Sequence, residues 1–119
     1  DVIVSVLQAV RFLVYDSEAN RNEFGSLGAC KTIPLIIDLK VEEALAAEGG
    51  SLAWKVVVAG LTAVSYLSYW HPKNRQLCLE TGILQKLNAL DRCKLPEKAR
   101  SALHSAKTML TMTDAATPG

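Results

Sequence analysis

The sequence predicts an all-α fold built from stacked helical units, and three observations carry that prediction. Apolar residues recur at intervals of three and four along most of the chain, the period of a helix with one buried face. The stretch Ser51–Trp70 (SLAWKVVVAGLTAVSYLSYW) is apolar nearly all round, with one glycine, Gly60, and no proline. A helix of that kind is buried in protein or in lipid. Finally, a short pattern occurs twice: Asn20-Arg21 with Gly28 recurs as Asn74-Arg75 with Gly82, 54 residues on.

Each element follows from local pattern. Ile3, Leu7, Val10 and Val14 make one stripe of a first helix over Val2–Tyr15, widened by Val6 and Leu13. Asp16-Ser17-Glu18 is a polar break. Asn20 is placed to cap a short second helix, with Glu23 three residues later reaching back, and Gly28 ends it. Thr32-Ile33-Pro34 opens a third helix, with the proline in the first turn where its missing N–H has no partner. That helix runs on through Val41 to Ala47 and stops at Gly49-Gly50. Ser51 caps the long central helix and His71-Pro72 ends it. Asn74-Arg75 begins a short helix that ends at Gly82. Ile83–Leu90 is the next helix, 91–94 a loop, and Pro96 opens the last helix, with Ala99, Leu103, Ala106 and Leu110 on one face.

Composition bounds the function. With 119 residues, half of them apolar, the chain makes one domain over 1–112 and a flexible tail over 113–119. A net charge of +1 gives no global attraction to nucleic acid or to an anionic membrane. Residues 1–50 hold four Lys/Arg against eight Asp/Glu, and 51–119 hold nine against four, which predicts one acidic and one basic end. Val56–Trp70 is 15 residues long, whereas a membrane span needs about 20, and Lys55 lies inside the Trp54–Trp70 pair that would form an aromatic belt. A central core helix is therefore expected. Cys30, Cys78 and Cys93 lack metal-ligand spacing and read as free, mostly buried thiols. The chain starts at Asp1 in mid-pattern, as a segment of a longer protein does.

No catalytic constellation is legible. His71 sits at a helix end, in a surface or capping position, and His104 on a wet helix face. No Ser, Cys or carboxylate is tied to either by spacing. Glu42 and Glu43 are adjacent, so they point to different parts of a helix surface. Gly49-Gly50 lacks the partners of a phosphate loop. No cofactor, metal ion or nucleic acid is expected, and the protein reads as a non-enzyme.

The repeated unit is short helix, helix, long helix. It resembles the armadillo repeat family through Asn20-Arg21…Gly28-Ala29…Ile33-Pro34-Leu35-Ile36 and Asn74-Arg75-Gln76…Gly82-Ile83-Leu84. A HEAT-like array is the nearest rival. The unit is longer than the usual period of about 40–47 residues, and the excess falls in 41–50. The resemblance implies a right-handed α-solenoid of about two and a half three-helix repeats. Val4–Tyr15, Ser51–Tyr69 and Pro96–Met112 would be its third helices, lining a concave groove that binds an extended peptide. The importin branch uses a Trp and an Asn four residues later on those helices. The aligned pairs here are Arg11 and Tyr15, Thr62 and Tyr66, His104 and Thr108, without Trp or Asn, so the nuclear-signal chemistry does not carry over. These six are the candidate partner-binding residues. Tyr15 and Tyr66 fit two roles, packing between units or anchoring a partner.

The expected function is a protein–protein interaction module of a cytoplasmic scaffold or adaptor, holding a peptide or helix of its partner. The alternative is a structural spacer or self-assembly segment. Val2, Ile3, Val4 and Val6 would then self-associate, because that apolar helix begins a repeat with nothing before it.

Overall fold

The structure is a computed structural model that describes residues 1–48 and 50–112. These residues form seven α-helices: α1 Val2–Val14, α2 Glu18–Ser26, α3 Ala29–Leu45, α4 Leu52–Ser68, α5 Pro72–Leu79, α6 Ile83–Leu90 and α7 Glu97–Thr111. No strand occurs among the described residues. The segment 113–119, expected to be a flexible tail, and Gly49 lie outside them.

Helix starts are set by side chains and by two glycines. Asp1 caps α1 through a bond from Val4 N to Oδ1 (3.1 Å). The α2 cap is Ser17, not Asn20: Ser17 is extended and its Oγ accepts from Asn20 N at 3.0 Å. Asn20 lies inside the first turn, and its amide instead reaches back to Leu13 O (2.6 Å). Gly28 takes the left-handed conformation (φ 92°), and its carbonyl accepts from Lys31 N and Thr32 N. α3 therefore begins at Ala29 rather than Thr32, and Pro34 sits in its second turn, where Cys30 O receives no donor from it. α3 ends at Leu45, two residues short of Ala47. Gly82 (φ 81°) opens α6 in the same left-handed way. Ser51 caps α4 through Trp54 N (3.3 Å). Pro72 is a first-turn residue of α5, which starts two residues ahead of Asn74 because His71 supplies the cap.

α4 is the axis of the molecule. It packs against α3, α7, α1 and α5. Val57, Ala63, Val64, Leu67 and Ser68 are wholly buried, and Val56 and Leu61 nearly so. Gly60 admits α3: a Cβ there would stand 2.7 Å from Ile37 Cγ1 and 3.2 Å from its Cδ1. Cys30 and Cys78 are buried free thiols. The hydrogen bond between them and the loss of water push the Cys30 thiol up, away from ionisation. The expected separation of charge into two ends does not describe the α3–α6 seam, where Lys86 bonds Asp38 (3.2 Å) and Glu42 (3.6 Å).

The contact at Gly60 gives a measurable outcome. Gly60→Val gains helix propensity but drives two methyl groups into Ile37, and we expect a net loss of about 2 kcal/mol in urea unfolding. In a double-mutant cycle with Ile37→Ala the cost falls, because the clashing atoms are gone. Strict additivity of the two substitutions would show that the helices do not meet there.

Candidate partner-binding groove

The groove arises from what α4 cannot bury. Along α4 only Leu52, Lys55, Val58, Thr62 and Tyr66 keep contact with water. They are spaced by three and four, so they form one continuous stripe. α1 flanks this stripe on one side and α7 on the other. Two adjoining hollows result. The first, of 470 Å³, lies between Val4, Gln8 and Arg11 of α1, the start of α4 with Lys55, Val58 and Thr62, and Lys98 and Ala99 of α7. The second, of 450 Å³, continues along Val58, Thr62, Ser65 and Tyr66 to Tyr69, walled by Lys98, Ser101, Ala102, Ser105 and Met109.

Arg11, Tyr15 and Tyr66 come together at one edge. The Tyr15 and Tyr66 rings meet edge to face, 5.4 Å between centroids and 79° between planes. The Arg11 guanidinium lies 5.4 Å from the Tyr66 centroid and 5.6 Å from that of Phe12, within cation–π range. Tyr15 is 60% exposed, whereas Tyr66 is partly buried and packs against the core. Thr62 Oγ1 donates to Val58 O (2.8 Å), which leaves its oxygen free to accept from a ligand.

His104 and Thr108 fall elsewhere. Both are exposed, and Thr108 Oγ1 donates to His104 O (2.9 Å). His104 lines a shallow hollow with Asp91, Leu95, Glu97 and Arg100 on the α6 side of α7. The same flank carries two ion pairs to the end of α6: Arg100 Nη1 lies 3.8 Å from Asp91 Oδ1, and Lys107 also bonds Asp91. With that flank held to α6, the opposite flank of α7 faces α4. It carries Lys98, Ala102, Ser105 and Met109, none of which stood among the six candidates.

The pairing of positions between units also shifts. Asn20 Nδ2 bonds Leu13 O and Asn74 Nδ2 bonds Leu67 O (3.0 Å), each seven residues back. These equivalent bonds place Leu13 with Leu67, hence Tyr15 with Tyr69 and Arg11 with Ser65. Tyr15 and Tyr66 are neighbours across the α1–α4 contact, not counterparts.

A buried polar node sets this register. Asn74 is 1% exposed, and its amide donates to Leu67 O and to Arg21 O (2.9 Å). Gly25 makes room for it, since a Cβ there would stand 2.0 Å from Asn74 Oδ1. Arg21 Nη1 donates to Val14 O at 2.8 Å. His71, 7% exposed, is a cap rather than a surface residue: its Nδ1 accepts from Asn74 N (3.1 Å). The proton is therefore on Nε2, which donates to Asn22 Oδ1.

Among the described residues no group of three His, Cys, Asp or Glu is placed to hold a metal ion. No helix among them is long and apolar enough to cross a membrane.

Burial, and then the nearby Arg21 charge, hold the His71 pKa below its ordinary value of 6.5. The unfolded chain thus takes up this proton first as pH falls, and the fold loses stability from about pH 6.5 downward. We expect the thermal midpoint to drop between pH 7.5 and 5.5, and His71→Asn, which can still cap, to remove a measurable part of that drop. An unchanged pH profile in the variant would exclude the neutral cap.

No protein-family model matches the chain, and neither does any curated protein or solved structure, so a functional reading rests on its own geometry.

Proposed function

We propose that this chain is a non-catalytic protein–protein interaction module of the armadillo type. It would be part of a right-handed α-solenoid that holds a peptide or helix of its partner in the groove along α1, α4 and α7. The observation that carries the reading is the single open stripe Lys55-Val58-Thr62-Tyr66 on an otherwise buried helix, walled on both sides. The repeat supports it. Each unit has a short helix, a left-handed glycine and a second helix, and each has an Asn amide bonded to the preceding long helix. A cytoplasmic scaffold or adaptor is the setting such a module fits.

The test is capture of partners from lysate with the wild-type chain, with Arg11→Ala/Thr62→Ala/Tyr66→Ala, and with His104→Ala/Thr108→Ala, all checked for equal helicity. Proteins lost by the first variant and kept by the second place the function in the groove. Equal retention by both variants removes that reading.

A second reading, self-assembly, is favoured by the outer flank of α1. Val2 (78% exposed), Val6 (54%) and Leu13 (52%) share that flank with Ile3. Their counterparts in α4 are Val56, Gly60, Leu67 and Val57, all buried. In α4 this is the flank that receives Ile37 of α3 at Gly60. If the flank mediates self-association, sedimentation equilibrium gives a mass that rises with concentration, and Val6→Glu holds the chain monomeric. A concentration-independent monomer mass for the unaltered chain excludes it.

A further inference from the structure

We infer that the groove selects an acidic, extended peptide, a proposal that rests on the groove reading above. The charged side chains lining the two hollows are Arg11, Lys55 and Lys98, and none of the lining residues is acidic. This is a local property, because the chain as a whole balances 13 Lys/Arg against 12 Asp/Glu. The three cations come from the α4 floor and from both walls, α1 and α7, so they surround the groove rather than mark one side.

Their pairing sharpens the argument. Lys40, Lys86, Arg100 and Lys107 each meet a carboxylate within 4 Å. Among the described residues Arg11, Lys55 and Lys98 meet none. Arg11 is held instead against the faces of Phe12 and Tyr66, which fixes it without neutralising it. Cations focused in a concave, partly apolar site attract carboxylates and favour them over like-charged competitors.

The shape selects an extended chain. Hollows of 470 and 450 Å³ in series suit successive side chains. Val58, Ala102 and Met109 offer an apolar floor for one anchoring side chain. Ser101 and Ser105 are exposed and their hydroxyls bond no described residue, so they can meet a peptide backbone. Three cations are few for a phosphate track, and the rings here face each other rather than a row of bases.

The test is selection from a randomised twelve-residue peptide display library, followed by fluorescence anisotropy of the enriched peptides. We expect enriched sequences to carry an excess of Asp and Glu around an apolar residue. Binding should weaken as salt rises. Arg11→Gln/Lys55→Gln/Lys98→Gln should weaken it about tenfold or more, Lys73→Gln should leave it unchanged, and Arg11→Lys/Lys55→Arg/Lys98→Arg should retain most of it. Enriched sequences that are neutral or basic, yet still lost on Arg11→Ala/Thr62→Ala/Tyr66→Ala, overturn the acidic selection and leave the groove reading standing. No enrichment that depends on groove residues overturns both. A ten-nucleotide oligothymidylate that binds tighter than every enriched peptide overturns the peptide class.

Discussion

Everything in this molecule depends on one constraint: α4 is apolar over so much of its circumference that only one narrow stripe can be left to water. Val56, Val57, Leu61, Val64 and Leu67 fill a broad arc of the helix opposite the Lys55–Tyr66 stripe, and all are buried. One neighbour cannot cover them. α3 takes the flank opened by Gly60, and α1 and α7 take the remaining sides. Burying a Val or Leu side chain contributes about 1.5–3 kcal/mol relative to exposure, so the chain gains most by surrounding this helix. The stripe that stays open is the only part of α4 where Lys55, Thr62 and Tyr66 bring polar atoms. The groove is thus the remainder of the core problem, and its floor is fixed by residues that cannot move without opening the core beneath them.

Register between the two units depends on polar atoms instead. Apolar packing is non-directional, and helices with small side chains slide at little cost. Asn74 removes that freedom, because one amide donates to carbonyls of α2 and α4 while buried. A buried donor left unpaired costs about 1–3 kcal/mol, so slippage by one turn is penalised in both directions. Gly25 belongs to the same device, since only glycine leaves room for Asn74 Oδ1. His71 ties the cap of α5 to Asn22 of α2, which makes the second unit's start dependent on the first. The aromatic edge of Arg11, Tyr15 and Tyr66 sits where α1 meets α4, so its geometry inherits this register.

Helix content and the burial of α4 were legible because both follow from period and composition. Ala99, Leu103, Ala106 and Leu110 were placed on the α7 core face from spacing alone, and all are buried. Helix starts were less legible, because Ser17, Asn20 and Thr32 are all competent caps and only the turn geometry chooses. Gly28 chose for α3: its left-handed backbone lets the helix begin at once. The groove was half legible. The core face of α7 leaves two flanks, and nothing local says which one meets α4. The flank that carries His104 turns out to be the one that pairs with Asp91 through Arg100 and Lys107. The offset between units depends on contacts of the same kind. Tyr15 and Tyr66 look like counterparts in sequence, but the equivalent Asn20 and Asn74 bonds show that they are neighbours.

Charge follows the same division between seam and groove. The acidic excess of residues 1–50 and the basic excess of 51–119 suggested two poles. At one seam the two halves meet: Lys86 of α6 bonds Asp38 and Glu42 of α3. Within the later half, Asp91 draws Arg100 and Lys107 to the far flank of α7. Exposed pairs of this kind add little stability, typically below about 1 kcal/mol. Their larger consequence is positional, because each cation held at a seam is absent from the groove, and each carboxylate held there is too. Arg11, Lys55 and Lys98 then face the groove without an internal counter-ion. Because the seam cations are paired and the groove cations are not, substitutions at Arg11, Lys55 or Lys98 change the charge of the groove without loosening how the helices are joined.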